Sequence, residues 1–220
     1  MLSTKNLEAS SKGPRPIIDA GNQKVKINAI TFDQTPWSKD AYNIVLHVES
    51  EPIGGDFEGF LIDKDNPNKG RYEGQVGRVR LSKYVFENGE TKTGRTKNRD
   101  EDVLKAMNSL AVAMDLKSDL DQVEAEDVFV FMDACDKIFA NSEYVNMCIG
   151  GREWENKDGY INLDMFVVPY EKGKVPVERD GVENSRLIQF DESKHIQRIK
   201  KKDVDNFESD SPFDGGDFDI

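Results

Sequence analysis

The sequence predicts a mainly β domain with a helical insertion, and three observations carry that prediction. Segments between Lys24 and Glu49 alternate polar and apolar residues at the two-residue period of half-buried strands. Apolar residues then recur at helical spacing between Val103 and Phe139. Finally, two apolar runs flank the polar tip Glu155-Asn156-Lys157-Asp158-Gly159, whose Asp-Gly pair supplies the positive-φ positions of a tight β connection.

The 220 residues are 37% hydrophobic and 33% charged, with a mean hydropathy of -0.66. Such a chain builds one domain and leaves part of itself as solvated loop or tail. The expected organisation is a flexible lead-in over residues 1–22, a domain over 23–190 with its helical insertion at about 99–140, and a C-terminal segment over 191–220. Cys135 and Cys148 are the only cysteines and His47 and His195 the only histidines. Neither pair has zinc-site spacing, so no metal or other cofactor is expected, and the thiols are expected to be reduced. The N-terminal residues lack the apolar run of a signal peptide, and no segment approaches the ~20 apolar residues of a membrane span. A cytoplasmic location, in a bacterial or infected host cell, is the resulting expectation.

Taken in order, Lys24–Phe32 reads as a half-buried strand that ends at the turn-like Asp33-Gln34-Thr35-Pro36. Ala41–Glu49 alternates again, and Phe57–Ile62 gives a further short apolar run after Gly54-Gly55. These read as successive antiparallel strands. Val76–Phe86 continues the series, with Arg78 and Arg80 on one face and Val79 and Leu81 on the other. A turn at Asn88-Gly89 and a basic loop over Thr91–Arg99 follow.

Asn98 or Asp100 caps a helix whose first turn carries Glu101 and Asp102, well placed against the helix dipole. Its apolar stripe, Val103, Leu104, Met107, Leu110, Ala111 and Met114, packs on the sheet. A second helical region carries Val128, Phe131, Met132, Cys135, Ile138 and Phe139 at helical spacing, although Val128–Met132 also alternates as a strand would. Glu124, Glu126 and Asp127 read as the acidic first turn of that helix, with metal carboxylates as the competing assignment. Tyr144–Tyr170 forms the hairpin, Glu171–Asn184 a polar loop, and Arg186–Phe190 a last edge strand.

Charge is unevenly spread. The chain carries a formal net charge of -12, yet residues 69–99 hold nine basic residues against three acidic ones, a net of +6. Tyr72, Tyr84 and Phe86 are interleaved with these cations, which is the composition of a surface that contacts phosphates and stacks bases. The candidate phosphate contacts are Arg71, Arg78, Arg80, Lys83, Lys92, Arg95 and Lys97, joined by Arg152 on the hairpin. Trp37, Tyr72, Tyr84 and Trp154 are the candidate stacking residues. Each has a plainer alternative: Trp154 beside its turn also suits cross-strand packing, Trp37 suits a lid over the barrel end, and a charge run suits a solvated face. Residues 194–202 are basic, whereas 203–220 hold seven acidic residues and no basic ones and are expected to be disordered.

Three strands, a helix and a closing hairpin is the element order of an OB-fold, a five-stranded Greek-key barrel. The segment Val145–Val168, with its GREWENKDG loop, resembles the last hairpin of single-stranded-DNA-binding proteins of the bacterial and phage replication type. The tail SDSPFDGGDFDI is similar in kind to the acidic, aromatic-ended tail of that family. The resemblance implies an OB-fold with a helical insertion between strands 3 and 4. It also implies binding of single-stranded DNA without strong sequence preference, in replication, recombination or repair. Partner proteins would then be recruited through Phe213, Asp217, Phe218, Asp219 and Ile220. Bacterial members of the family usually finish in Pro-Phe, whereas Pro212-Phe213 is internal here, and the enlarged helical region fits a phage-encoded variant. With no nucleophile–base pair, phosphate-cradling glycine motif or zinc spacing, the chain is not expected to be an enzyme. The alternatives are a β-barrel interaction or structural protein that binds no nucleic acid and, behind it, a carboxylate- and Mg²⁺-dependent nuclease.

Overall fold

A computed structural model describes residues 15–55, 57–81, 84–90, 96–140 and 142–199. Five strands form the frame: β1 (Gly21–Thr35), β2 (Ser38–Ser50), β3 (Val76–Arg80), β4 (Val145–Glu155) and β5 (Ile161–Val167). Antiparallel pairing joins β1 to β2, β2 to β3, β5 to β4 and β4 back to β1, while β3 and β5 run parallel. The order β1-β2-β3-β5-β4 therefore closes on itself. The result is a mainly β fold built on a closed five-stranded barrel of OB-like topology, as the sequence predicts.

Closure depends on the length of β1. Residues Gly21–Val25 pair with β4 and residues Val25–Thr35 with β2, so Val25 has Ser50 on one side and Val145 on the other. A register irregularity between Ile27 and Ala29 marks where the strand bends, as bulges do in barrels. Val25, Ile27, Leu46, Val48, Val79, Met147 and Ile149 point inward and are buried.

The insertion between β3 and β4 holds α1 (Arg99–Met114), α2 (Lys117–Leu120) and α3 (Val128–Phe139). Asn98 caps α1, its side chain accepting from the Glu101 amide at 3.1 Å. Val103, Met107, Leu110, Ala111 and Met114 face the core. The helix ends at Asp115 in the left-handed region, φ 61°, where an aspartate is better tolerated than most residues. Along α3, Val128, Phe131, Met132, Cys135 and Phe139 are buried, which settles the segment as a helix. It lies against β1, where Asp136 Oδ1 accepts the Ile30 amide at 2.6 Å.

Several expected boundaries move. The β1 strand runs on to Thr35, so the turn to β2 is only Pro36-Trp37. The lead-in does not stay free up to residue 22: Ile18 is buried, and its amide bonds to Val76 O at 3.0 Å. Phe57–Ile62 contributes only Phe60–Leu61, which pairs with Arg71–Tyr72 outside the barrel. The expected strand Val76–Phe86 stops at Arg80, and Val85–Phe86 pairs separately with the start of β2. No acidic residue lies in the first turn of α3; Asp127 caps it instead, accepting from Phe129 N and Val130 N. Within the expected polar loop, Val177–Arg179 pairs with β4, because Val177 buries its side chain there. Arg186–Phe190 forms no edge strand beyond one bridge, between Val175 and Leu187; Ile188 is nevertheless buried against Cys148 and Val168. Ser82, Lys83, Lys92, Arg95 and the acidic tail lie outside the described residues.

Candidate nucleic-acid interface

Successive side chains of a strand alternate between faces, so the residues between the inward set of β2 form an outer row. Asn43, Val45 and His47 make up that row. The β2–β3 register places Val45 opposite Arg80 and His47 opposite Arg78, and Arg80 in turn partners Phe166 of β5. Asn43, Val45, His47, Arg78, Arg80 and Asp164 line a groove of about 900 Å³ on the outside of the barrel.

The hairpin β4–β5 supplies one wall. Its tip is fixed by Asn156, whose side chain accepts from Asp158 N at 3.0 Å and Tyr160 N at 2.8 Å, while Gly159 takes φ 80°. Gly159 alone supplies positive φ; Asp158 does not. Trp154 lines the groove and is 50% exposed. It stacks on no other ring among the described residues. Arg152, two residues earlier on the same face, is exposed and has no ion pair among the described residues. Glu153 points the other way, pairing with Arg198 at 3.1 Å and accepting from Ile199 N.

Tyr72 lines the groove from the segment before β3, and Pro36 and Tyr84 line it beside the β1–β2 turn. From there a run of three rings bounded by two cations leads outward. The Arg80 guanidinium lies 4.6 Å from the Tyr84 centroid, Tyr84 meets Trp37 edge-on at 5.2 Å, Trp37 is 6.5 Å from Phe86, and Lys97 Nζ is 4.8 Å from Phe86. Trp37, at the tip of the β1–β2 turn, is 59% exposed and stands as an open rim residue rather than a lid packed over the core.

The basic residues divide sharply. Arg78 is exposed and has no ion pair among the described residues. Arg80 is only 11% exposed and pairs with Asp164 at 3.3 Å, so its charge is largely answered within the groove. Arg71 donates to Gly59 O at 2.9 Å and sits 3.9 Å from Glu58, off the groove. Arg99 is held by Glu87 and Asp100, each at 2.8 Å, and the hydrogen bond to Asp100, with the charges of both carboxylates, raises its pKa. The net +6 of residues 69–99 is therefore partly spent on internal pairing. Lys83, Lys92 and Arg95 lie outside the described residues.

Trp154, Tyr72, Tyr84, Arg78 and Arg80 thus meet in one groove, with Trp37, Lys97 and Arg152 around it and Arg71 apart. Sequence reasoning missed His47, Asn43 and Asp164 as groove residues. The alternation of Ala41–Glu49 carried the signal for the first two, but the exposed face acquires a role only once β3 is laid beside it. No group of three or more His, Cys, Asp or Glu side chains is arranged to hold a metal ion among the described residues. No helix among them is long and apolar enough to cross a membrane. Comparison with protein-family models, with curated proteins and with solved structures returns no match.

Proposed function

We propose that the groove binds single-stranded DNA without strong sequence preference. The observation that carries this reading is the convergence of Trp154, Tyr72 and Tyr84 with the exposed Arg78 in one half-open groove on an OB-like barrel. Aromatic faces accept any base, each stacked base contributing about 1–3 kcal/mol, and unpaired cations at the rim neutralise phosphates. A single strand presents both at once. A duplex hides its base faces.

Such binding suits protection of exposed strands in replication, recombination or repair. The acidic tail, with Phe213, Asp217, Phe218, Asp219 and Ile220, supplies the proposed route to protein partners, and that part rests on sequence alone. The test is a titration of labelled dT oligomers, duplex DNA and RNA at two salt concentrations. Binding of the single strand that weakens with salt and exceeds duplex binding is expected. No single-strand binding at low salt overturns the reading.

A further inference from the structure

We propose that His47 is a phosphodiester contact of the groove, sharing a phosphate with Arg78, and that strand binding favours its imidazolium form, so that protons are drawn from solution as the strand arrives. The inference rests on the single-strand reading of the groove and adds to it a residue and a proton.

The geometry places the ring where an anion would sit. His47 and Arg78 are register partners on adjacent strands, so both side chains rise from the same outer face, and both line the groove. His47 Nε2 lies 3.3 Å from Thr31 Oγ1. Nδ1 has no hydrogen-bond partner among the described residues and is not sealed in the interior. An imidazolium would donate from Nε2 to the threonine hydroxyl and from Nδ1 to a phosphate oxygen, satisfying both nitrogens.

The groups around the ring set the sign of the proton linkage. Burial, and then the positive charge of Arg78, hold the His47 pKa below its ordinary value, while Asp136 on α3 and Asp33 on β1 oppose them. Glu49, further along β2, is already engaged by Lys26 and Asn28, and Asp164 across the groove by Arg80. A phosphodiester landing between Arg78 and the ring brings one negative charge that offsets the guanidinium, removing one of the two causes of the depression. The bound-state pKa then exceeds the free one. Affinity must therefore rise as pH falls through the bound-state pKa and level off below the free one.

The experiment is an NMR titration of the two imidazoles in the full chain, free and with a dT oligomer, beside affinity measurements from pH 5.5 to 8 at fixed salt. His195 serves as the internal reference, because its Nδ1 accepts the Asp191 amide at 3.0 Å, outside the groove. We expect the His47 pKa to rise by about one unit on binding, which corresponds to about tenfold tighter binding at low pH. His47→Gln should flatten that dependence. An unshifted His47 in the wild-type complex, or an equal pH slope in His47→Gln, overturns the proposal while leaving single-strand binding intact. Failure of the oligomer to bind at any pH overturns the parent reading instead, and this one with it.

Discussion

The indole of Trp37 stands perpendicular to the ring of Tyr84, their centroids 5.2 Å apart. An edge-to-face pair leaves one ring face of Trp37 open, and the residue is 59% exposed. Trp37→Ala should weaken dT binding by about 1–3 kcal/mol, the range of one stacked base. The same change should cost the fold no more than about 1 kcal/mol, since little apolar area is lost from the interior. Fluorescence titration and urea denaturation separate the two effects. A large stability loss with unchanged affinity would make Trp37 a structural residue.

Arg80 and Asp164, paired at 3.3 Å, make separate predictions. Asp164→Asn removes a negative charge from the groove and loosens the hold on Arg80, so dT affinity should rise. The slope of log K against log salt should steepen by about 0.7, the increment for one further phosphate contact with single strands. Arg80→Ala instead removes a guanidinium packed between Tyr84 and Phe166, at 4.6 and 5.7 Å. A stability loss of about 1–3 kcal/mol is expected. An unchanged salt slope in the asparagine variant would show that Arg80 remains unavailable to phosphate.

Gly77 tests how the N-terminal segment is held. A Cβ there would lie 2.3 Å from Ile18 Cγ2 and 3.2 Å from Met165 Cε. Since Ile18 is also tied by its backbone to Val76, it cannot simply swing away. Gly77→Ala should cost about 1–3 kcal/mol by overpacking, measured by urea denaturation. Gly151→Ala should cost less, because the three atoms nearest to a Cβ there all belong to the Leu163 side chain, which is partly exposed and can move. The reverse order would mean that the Ile18 contact is soft.

The two thiols should be inert in the native protein. Burial pushes the Cys135 pKa up to about 12, and burial aided by Glu171 pushes that of Cys148 up to about 11. Thiolate is the reactive form, so neither residue should react with a thiol reagent at pH 8 until the chain is unfolded. Rapid labelling of either under native conditions would contradict the packing described for α3 and β4.

Much of this architecture is legible from local chemistry. Asn98 announces its helix because a capping side chain acts within three residues, and the closing hairpin is announced by its two apolar runs and its Asp-Gly tip. Trp154 is therefore findable from its neighbours alone. Other features depend on partners far along the chain. Arg71, Arg80 and Arg99 look equivalent to Arg78 as basic residues, yet Glu58, Asp164, Glu87 and Asp100 engage them and leave Arg78 open. Ile18 reads as part of a loose lead-in because the glycine that makes room for it is Gly77. His47 is an unremarkable strand residue until Arg78 lies beside it.

The shared role of Val25, paired on one side with Ser50 and on the other with Val145, sets an order of events for the growing chain. Synthesis delivers β1, β2 and β3 long before β4, so the early chain can form only an open sheet with unsatisfied edges at β1 and β3. Contacts spanning that much sequence are slow to form, and exposed edges invite pairing with other chains meanwhile. The groove inherits the same schedule. Asp164 and Trp154 reach it only with the closing hairpin, so an incomplete chain presents a β2–β3 face without the lining that the hairpin supplies.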